Sequence, residues 1–373
     1  MQYFERETLF KQLCENAKRQ YIPLSGIFEL TPRCTLDCKM CYVHLTESQM
    51  NGKKELTGDQ WIEIIDQAID NGMLFALLTG GECLLHKDFK KIYLHLRERG
   101  IIISVNTNGT ILNDELLDFF KKNPPNRFKI TLYGISEDGY ERVTGHRQFT
   151  RVRDNILKLK NAGFSVKLAV TVCKYIYDET IEIVKFAKEH QLPYSIDMAM
   201  QQANEETGRD VSDYDLTGEQ IAQKYREIAM LGGKEVTPCD DCDLELPKRM
   251  EGGEIAKCLI CGAGRQQFSV SWDGKMYPCL WLRDEPQEVL EKGFVASWKE
   301  CNRIVDDYVV PMECNYCEYF AACTTCTVKR ADPNDPAHCN PAVCAGAIAK
   351  IKAGVSKKNK VIGKIENIED ICF

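Results

Sequence analysis

Between residues 25 and 230 short apolar runs alternate with longer segments in which apolar residues recur every three or four positions. The runs at residues 26–30, 74–78, 101–105, 128–132, 166–172 and 194–198 have strand length and lie between turn signals. Run 74–78 is apolar throughout, which predicts a strand buried on both faces. Between the runs come helical patterns. One carries Trp61, Ile64, Ile65, Ala68 and Ile69 on one face; the pair Thr57 and Gln60 opens it as a capping box, and Gly72 ends it. A second carries Phe89, Ile92, Tyr93 and Leu96 and stops at Gly100. Others lie around residues 116–120, at Val152, Ile156 and Leu159 before Gly163, and around 181–186. Six strands joined by crossover helices predict a (β/α)6 partial barrel or an open α/β sheet, with any site at the C-terminal strand ends.

The pattern changes outside this region. Residues 5–20 predict a short helix with Leu9, Phe10 and Leu13 on one face. Residues 201–216 are polar and read as a surface loop; Thr217 and Gln220 form a second capping box, opening a helix to about residue 231. From Cys239 to Cys344 the periodicity is poor and cysteines are dense, as in a unit that depends on metal for its stability. The organisation expected is an N-terminal helix (1–24), the partial barrel (25–232), a cysteine-rich unit (233–349) and a lysine-rich tail (350–373) to which no function is assigned.

Composition narrows the classes. A net charge of −7 argues against general nucleic-acid binding, and no apolar stretch has transmembrane length. The N-terminus lacks the basic start and apolar run of an export signal, so a cytoplasmic location is expected. In that reducing setting 19 cysteines, many in C-x2-C pairs, favour metal over disulfides. Isolated Cys14 and Cys173 read as small buried hydrophobes.

The chemistry centres on Cys34, Cys38 and Cys41, spaced C-x3-C-x2-C directly after the first strand. Three thiolates hold three irons of a four-iron, four-sulfur cube, and no fourth cysteine follows nearby. The fourth iron is then open to a non-protein ligand, as in a catalytic site. A ferredoxin fragment or a zinc knuckle are the other readings of the motif alone. Thr79, Gly80, Gly81 and Glu82 end the second strand, and Asn106, Thr107, Asn108 and Gly109 the third.

In this order the motifs resemble the radical S-adenosylmethionine (SAM) superfamily, whose fold is a partial TIM barrel. The resemblance implies that Cys34, Cys38 and Cys41 hold the SAM-binding 4Fe-4S cluster. It also implies that Gly80, Gly81, Glu82, Asn108 and Thr131 contact SAM, the Glu82 carboxylate at the ammonium and Thr131 near the ribose. An arginine between Arg142 and Arg151 is expected at the SAM carboxylate. Two positions depart from the family pattern: Met40 stands where relatives place an aromatic residue, and Cys83 where a proline follows the Gly-Gly-Glu motif.

The second unit resembles the SPASM extension of peptide-modifying radical SAM enzymes. Cys261, Gly274 and Cys279 read as C-x12-G-x4-C; Cys314, Cys317, Cys323 and Cys326 follow, then Cys344. The resemblance implies two auxiliary 4Fe-4S clusters, one on Cys258, Cys261, Cys279 and Cys326, the other on Cys314, Cys317, Cys323 and Cys344, with Cys339 as a substitute for Cys344. Only two residues separate Cys323 from Cys326, where the family has three. Cys239, Cys242, Cys258 and Cys261 have zinc-ribbon spacing and form a rival assignment.

The implied activity is reductive cleavage of SAM to a 5'-deoxyadenosyl radical, followed by oxidative modification, cross-linking above all, of a ribosomally made peptide. The implied partners are that peptide, a separate leader-binding protein (only about 24 residues precede the first strand) and an electron donor such as flavodoxin or ferredoxin. Side-chain chemistry on a tetrapyrrole is one alternative. Sulfatase maturation is another, weakened because Leu280 rather than an aspartate follows Cys279. A non-catalytic iron–sulfur electron carrier is the third.

Overall fold

The computed structural model describes residues 2–198, 203–233, 236, 244, 255–257, 261–311, 313–314, 317–323, 326–332 and 335–358. The chain divides into two compact units. One holds Met1–Asp215 with Gly262–Arg303, the other Leu216–Cys261 with Ile304–Phe373.

In chain order the first stretch holds α1 (Gln2–Gln20), β1 (Ser25–Glu29), α2 (Gly58–Asp70), β2 (Phe75–Thr79), α3 (Phe89–Glu98), β3 (Ile102–Thr107), α4 (Asp114–Lys122), β4 (Arg127–Thr131), α5 (Glu137–Thr144), α6 (Phe149–Asn161), β5 (Val166–Thr171), α7 (Thr180–Glu189) and β6 (Tyr194–Asp197). Then come α8 (Gly218–Leu231), β7 (Ile255–Lys257), β8 (Gln267–Val270), β9 (Lys275–Tyr277), β10 (Gln287–Glu288), α9 (Val289–Lys292), α10 (Phe294–Asp306), β11 (Val309–Pro311), β12 (Ala331–Asp332), β13 (Asp335–Cys339) and α11 (Pro341–Lys352).

The six expected strands pair in parallel and in order, β1 to β6. The sheet extends beyond them to nine strands: β8 pairs in parallel with β1, and β9 and β10 add antiparallel strands outside it. These three strands come from the stretch that its cysteines group with the second unit, yet they complete the barrel sheet. A strand order that never reverses, joined by right-handed crossovers, puts the helices on one face.

That rule shapes β2. Ala76 and Leu78 are buried (2% and 0% exposed), whereas Phe75 and Leu77 are half-buried. The expectation of burial on both faces is corrected: an all-apolar run here still has an inside and an outside, because the second face carries none of the crossover helices and Phe75 meets Phe10 of α1 edge-on there. On the helix face, Phe28 meets Trp61 of α2 and Phe268 of β8 edge-on, and Phe128 meets Phe120 of α4. Each such fully buried ring contributes about 1.5–3 kcal/mol. Both capping boxes form, Thr57 with Gln60 and Thr217 with Gln220.

In the second unit α8 packs on α11, and a Cβ on Gly218 would stand 2.8 Å from the Gly346 Cα, so two glycines set the approach. A small core of Tyr319, Ala322, Ala347, Ile348 and Ile351 sits beside two two-stranded ribbons, β7 with β11 and β12 with β13. Among the described residues no helix is long and apolar enough to cross a membrane.

Candidate functional site

Two loops from neighbouring strand ends build the first site. The chain leaves β1 through Leu30 and Thr31 and runs into the cysteine loop, while the Gly80–Gly81 turn leaves β2 beside it. Gly81 N–H donates to the Thr31 oxygen and Glu82 N–H to the Arg33 oxygen, both at 2.8 Å. A Cβ on Gly80 would lie 2.4 Å from the Thr31 oxygen, and one on Gly81 2.4 Å from the Arg33 oxygen. Gly80 also has a φ of +130°, in the region that favours glycine. The glycines are thus needed for one loop to press against the other. Glu55 clamps Arg33 through two hydrogen bonds, of 2.8 and 2.7 Å, and accepts from the Thr31 hydroxyl.

The thiols of Cys34, Cys38 and Cys41 act on one another electrostatically and form no disulfide. Donors aim at the sulfurs: Leu36 N–H at Cys34 (3.4 Å), Asn108 Nδ2 at Cys34 (3.3 Å), His44 N–H at Cys41 (3.2 Å) and the Tyr133 hydroxyl at Cys38. Burial pushes the Cys34 thiol up to about 12, helped by Glu82 and Cys41, and burial first of all raises Cys38 and Cys41 as well. Such thiols ionise when a metal binds them, because the cation reverses the local balance. Among the described residues no three His, Cys, Asp or Glu side chains gather as for a single ion. Cysteines on different irons of a cube stand farther apart than ligands of one ion, so thiols that share a loop and carry N–H donors fit a cluster. Cys83 is no fourth ligand from the same side: its thiol meets the Asn106 carbonyl at 3.2 Å.

Glu82 is fully buried. Its carboxylate accepts from Thr107 Oγ1 (2.7 Å), Asn108 N–H (2.8 Å) and Leu84 N–H (3.2 Å). Burial raises its pKa and these donors hold it back down. Asn108 bridges outward from it to Cys34 and to Thr35 Oγ1 (3.0 Å). Thr131 is half-buried on β4, two residues before Tyr133. Gly80, Gly81, Glu82 and Asn108 therefore frame the cysteine loop, with Thr131 below Tyr133. In the arginine region, Arg142 pairs with Glu179, and Arg147 with Asp138 and Glu141.

Two charged partners of this loop were not visible in the sequence. Arg209, from the stretch read as a polar surface loop, donates to the Cys38 main-chain oxygen and to Asp37. Its hydrogen bond holds the Asp37 carboxyl below its ordinary range, and its charge eases ionisation of Cys38 and Cys41. Glu29, fully buried at the end of β1, pairs with Arg283, whose guanidinium lies over Tyr277 (4.9 Å) and Tyr42 (6.0 Å). No sequence motif marks either residue; each acts through a partner far along the chain.

The remaining cysteines fall into groups. In the first unit Cys279 is buried, accepts from Trp281 N–H at 3.3 Å, and lies near buried Cys301, which the sequence reading passed over. In the second unit burial raises the pKa of Cys326, and the charge of Cys261 nearby adds to it. Cys239, Cys242 and Cys258 lie outside the described residues. Cys314, Cys317, Cys323, Cys339 and Cys344 line one pocket with Arg330, whose empty space, mouth included, is about 330 Å³. Within it Cys339 Sγ is 2.7 Å from Cys314 Sγ and is also hydrogen-bonded to Cys344.

Residues 28–188 match the radical SAM superfamily. The AdoMet-dependent heme synthase of Methanosarcina barkeri is 25% identical over 317 residues, 81% of this chain and 90% of its own. The PqqA peptide cyclase of Bradyrhizobium diazoefficiens is 26% identical over 271 residues, 69% of this chain and 67% of its own. The crystal structure of Streptococcus suis SuiB bound to precursor peptide SuiA superposes with a TM-score of 0.65 at 17% identity, covering 91% of this chain and 81% of that one, a likeness of fold. The matched segment begins inside β1 and takes in the cysteine loop, the Gly80–Gly81 turn and the strands up to α7, so the part of the chain that builds the site is the part that is shared. Residues 28–188 of this chain are a radical SAM superfamily domain.

Proposed function

We propose that the protein cleaves SAM reductively and uses the resulting radical to modify a ribosomally made peptide oxidatively, by cross-linking. The observation that carries the reading is the set of three facing thiols under the glycine turn, with Cys83 turned to a carbonyl instead of closing the set. When bound there, a 4Fe-4S cluster supplies the electron and an open iron for SAM, whose cleavage yields a 5'-deoxyadenosyl radical.

The chain's own residues do the rest. Cys34, Cys38 and Cys41 hold the cluster, and Arg209 fixes the backbone of their loop. Gly80, Gly81, Glu82, Asn108 and Thr131 are assigned to SAM. Glu82 also fixes the turn, because both of its oxygens accept hydrogen bonds from it and from the end of β3. The apolar helix face closes one side of the site to water, and the sheet positions substrate near the radical. Cys314, Cys317 and Cys323 with Cys344 or Cys339 are assigned to one auxiliary 4Fe-4S cluster, and Cys258, Cys261, Cys279 and Cys326 to a second. Either suits removal of an electron from a substrate radical. A separate leader-binding protein, a flavodoxin or ferredoxin donor and a cytoplasmic location complete the proposal.

The names of the PqqA peptide cyclase and of SuiB with its precursor peptide support a peptide substrate. A second reading, tetrapyrrole side-chain chemistry, is favoured by the heme synthase, which matches across 90% of its length. Anaerobically reconstituted, reduced protein incubated with SAM is expected to release 5'-deoxyadenosine and methionine, and a Cys34→Ala/Cys38→Ala/Cys41→Ala variant none. Iron-loaded wild type that releases neither would leave the electron-carrier reading instead. Mass spectrometry of peptides encoded beside the gene, and of porphyrins, then separates the substrates: a cross-link removes two hydrogens from the peptide.

A further inference from the structure

The sheet face turned away from the helices carries an unusual row. Phe128 and Ile130 of β4 are fully buried toward the helices, and so are Val166 and Leu168 of β5 at 4% and 0% exposed. By the two-residue period of a strand, Lys129 and Lys167 point to the other face. They are direct partners across β4 and β5, and Asn106 of β3 is the direct partner of Lys129 on its other side. Both lysines are half-buried. Like charges directly opposite one another destabilise a sheet. No ion pair holds either ammonium among the described residues, and Asp197 on β6 offsets only part of the repulsion. The other acid on this wall, Glu29, is taken by Arg283.

We propose that Lys129 and Lys167 form a subsite that binds a carboxylate of the substrate. This rests on the reading above that the wall receives substrate, and it names a chemical feature of that substrate. An anion between the two ammonium groups turns a repulsion into two attractions. Asn106 adds an acceptor: its Oδ1 is buried without a partner among the described residues. Two cations beside one unfilled acceptor match a carboxylate with an N–H close by, as on an acidic residue of a peptide. The column along β4 runs from Lys129 through Thr131 to Tyr133, whose hydroxyl meets Cys38. At about 3.3 Å per residue Lys129 lies about 13 Å below Tyr133. A carboxylate held there leaves the rest of the substrate between the lysines and the cysteine loop. Burial, then Lys167, lowers the pKa of Lys129, as expected of an ammonium that lacks its counter-ion.

The test uses reconstituted enzyme with SAM and two probe pairs in calorimetric titrations: N-acetylglutamate N-methylamide against its glutamine counterpart, and coproporphyrin III against its tetramethyl ester. At least one acid is expected to bind ten-fold or more tightly than its neutral partner. The preference is expected to vanish in Lys129→Met/Lys167→Met and to persist in Lys129→Arg/Lys167→Arg. Preference within the amino-acid pair assigns the site to a peptide, and preference within the porphyrin pair alone to a tetrapyrrole. Equal binding within both pairs, or a preference that survives the double methionine variant, overturns the proposal. Binding is read without turnover. Loss of 5'-deoxyadenosine formation with the preference intact would therefore sink the catalytic reading and not this one.

Discussion

Arg209 donates to the main-chain oxygen of Cys38, 171 residues earlier in the chain, and with its other terminal nitrogen to Asp37. The Arg209 side chain is only 16% exposed, so the contact belongs to the site and not to the surface. Its planar fork suits two acceptors at a fixed angle, which a lysine cannot reproduce. It also places a positive charge beside thiols that must carry negative charge once a cluster binds.

Arg209→Gln is therefore expected to weaken cluster retention and to slow SAM cleavage about ten-fold, the lower end of what loss of a supporting contact costs a metal site. Removing a cation also makes a reduced, more negative cluster less favourable. A spectroscopically followed redox titration should show a lower potential in Arg209→Gln. Arg209→Lys should recover much of the potential and less of the iron retention. Unchanged potential in Arg209→Gln would reduce the residue to a loop clamp.

The glycine turn gives a sharper prediction. A Cβ at Gly81 would lie 2.4 Å from the Arg33 carbonyl oxygen, and backbone cannot move aside as a flexible side chain can. Gly81→Ala is expected to lose about 1–3 kcal/mol of stability. The displaced segment is the one leading into Cys34, so reconstituted iron at this loop should fall further than the melting temperature suggests. Iron content and denaturation of Gly81→Ala beside Gly109→Ala would check this: the nearest atom to a Cβ at Gly109 is a movable Ile130 methyl at 3.1 Å, and the strain there comes from a φ of +76° and not from pressing on the cysteine loop. Equal iron retention in both would discount the loop contact.

Much of this was legible beforehand because local rules and fold agree. Thr57 with Gln60 and Thr217 with Gln220 announce helix starts that form as written. The six runs become parallel strands in chain order, and the cysteine loop falls at the end of β1. What the sequence hid is non-local. β8 joins β1 from more than two hundred positions away, and no local pattern says which edge a late strand will choose. Arg209 and Glu29 gain their roles from partners brought near only by the fold. For Glu82 the residue was legible and its bracing was not: its oxygens accept from Thr107, Asn108 and Leu84, and no local pattern names those partners.

Lys129 carries a pH prediction. Its pKa in the folded protein is below the ordinary 10.5, through burial and then Lys167. Between the lowered value and 10.5 the unfolded chain holds more protons than the folded one, so stability from this group rises with pH across that window. Below the window both states are protonated, and the full cost of burying the charge is present. The difference in unfolding free energy between wild type and Lys129→Met, from denaturant titrations at pH 8 and pH 10, should shift in favour of wild type as pH rises. A constant difference would mean that Lys129 is as well solvated as a surface lysine.

The cysteine pocket of the second unit offers one thiol more than a cube can use. Cys314, Cys317 and Cys323 come from one run, and Cys339 and Cys344 approach the same space from β13 and from the first turn of α11. Cys339 is the more buried, at 9% exposed, and touches both Cys314 and Cys344. A contact of 2.7 Å between the Cys314 and Cys339 sulfurs is too close for ligands of two different irons, so cluster binding must part that pair. Either Cys339 swings onto an iron and leaves Cys344 spare, or it withdraws and Cys344 binds. Its position between the other two makes substitution inexpensive in either direction. Cys344→Ser and Cys339→Ser are each expected to keep nearly all the auxiliary iron, and the double variant to lose the cluster from this pocket. A single variant that loses the full complement would identify the one obligatory ligand and end the exchange model. Iron and sulfide analysis of the three variants, made in a background lacking Cys34, Cys38 and Cys41, reads the auxiliary clusters without the SAM-binding one.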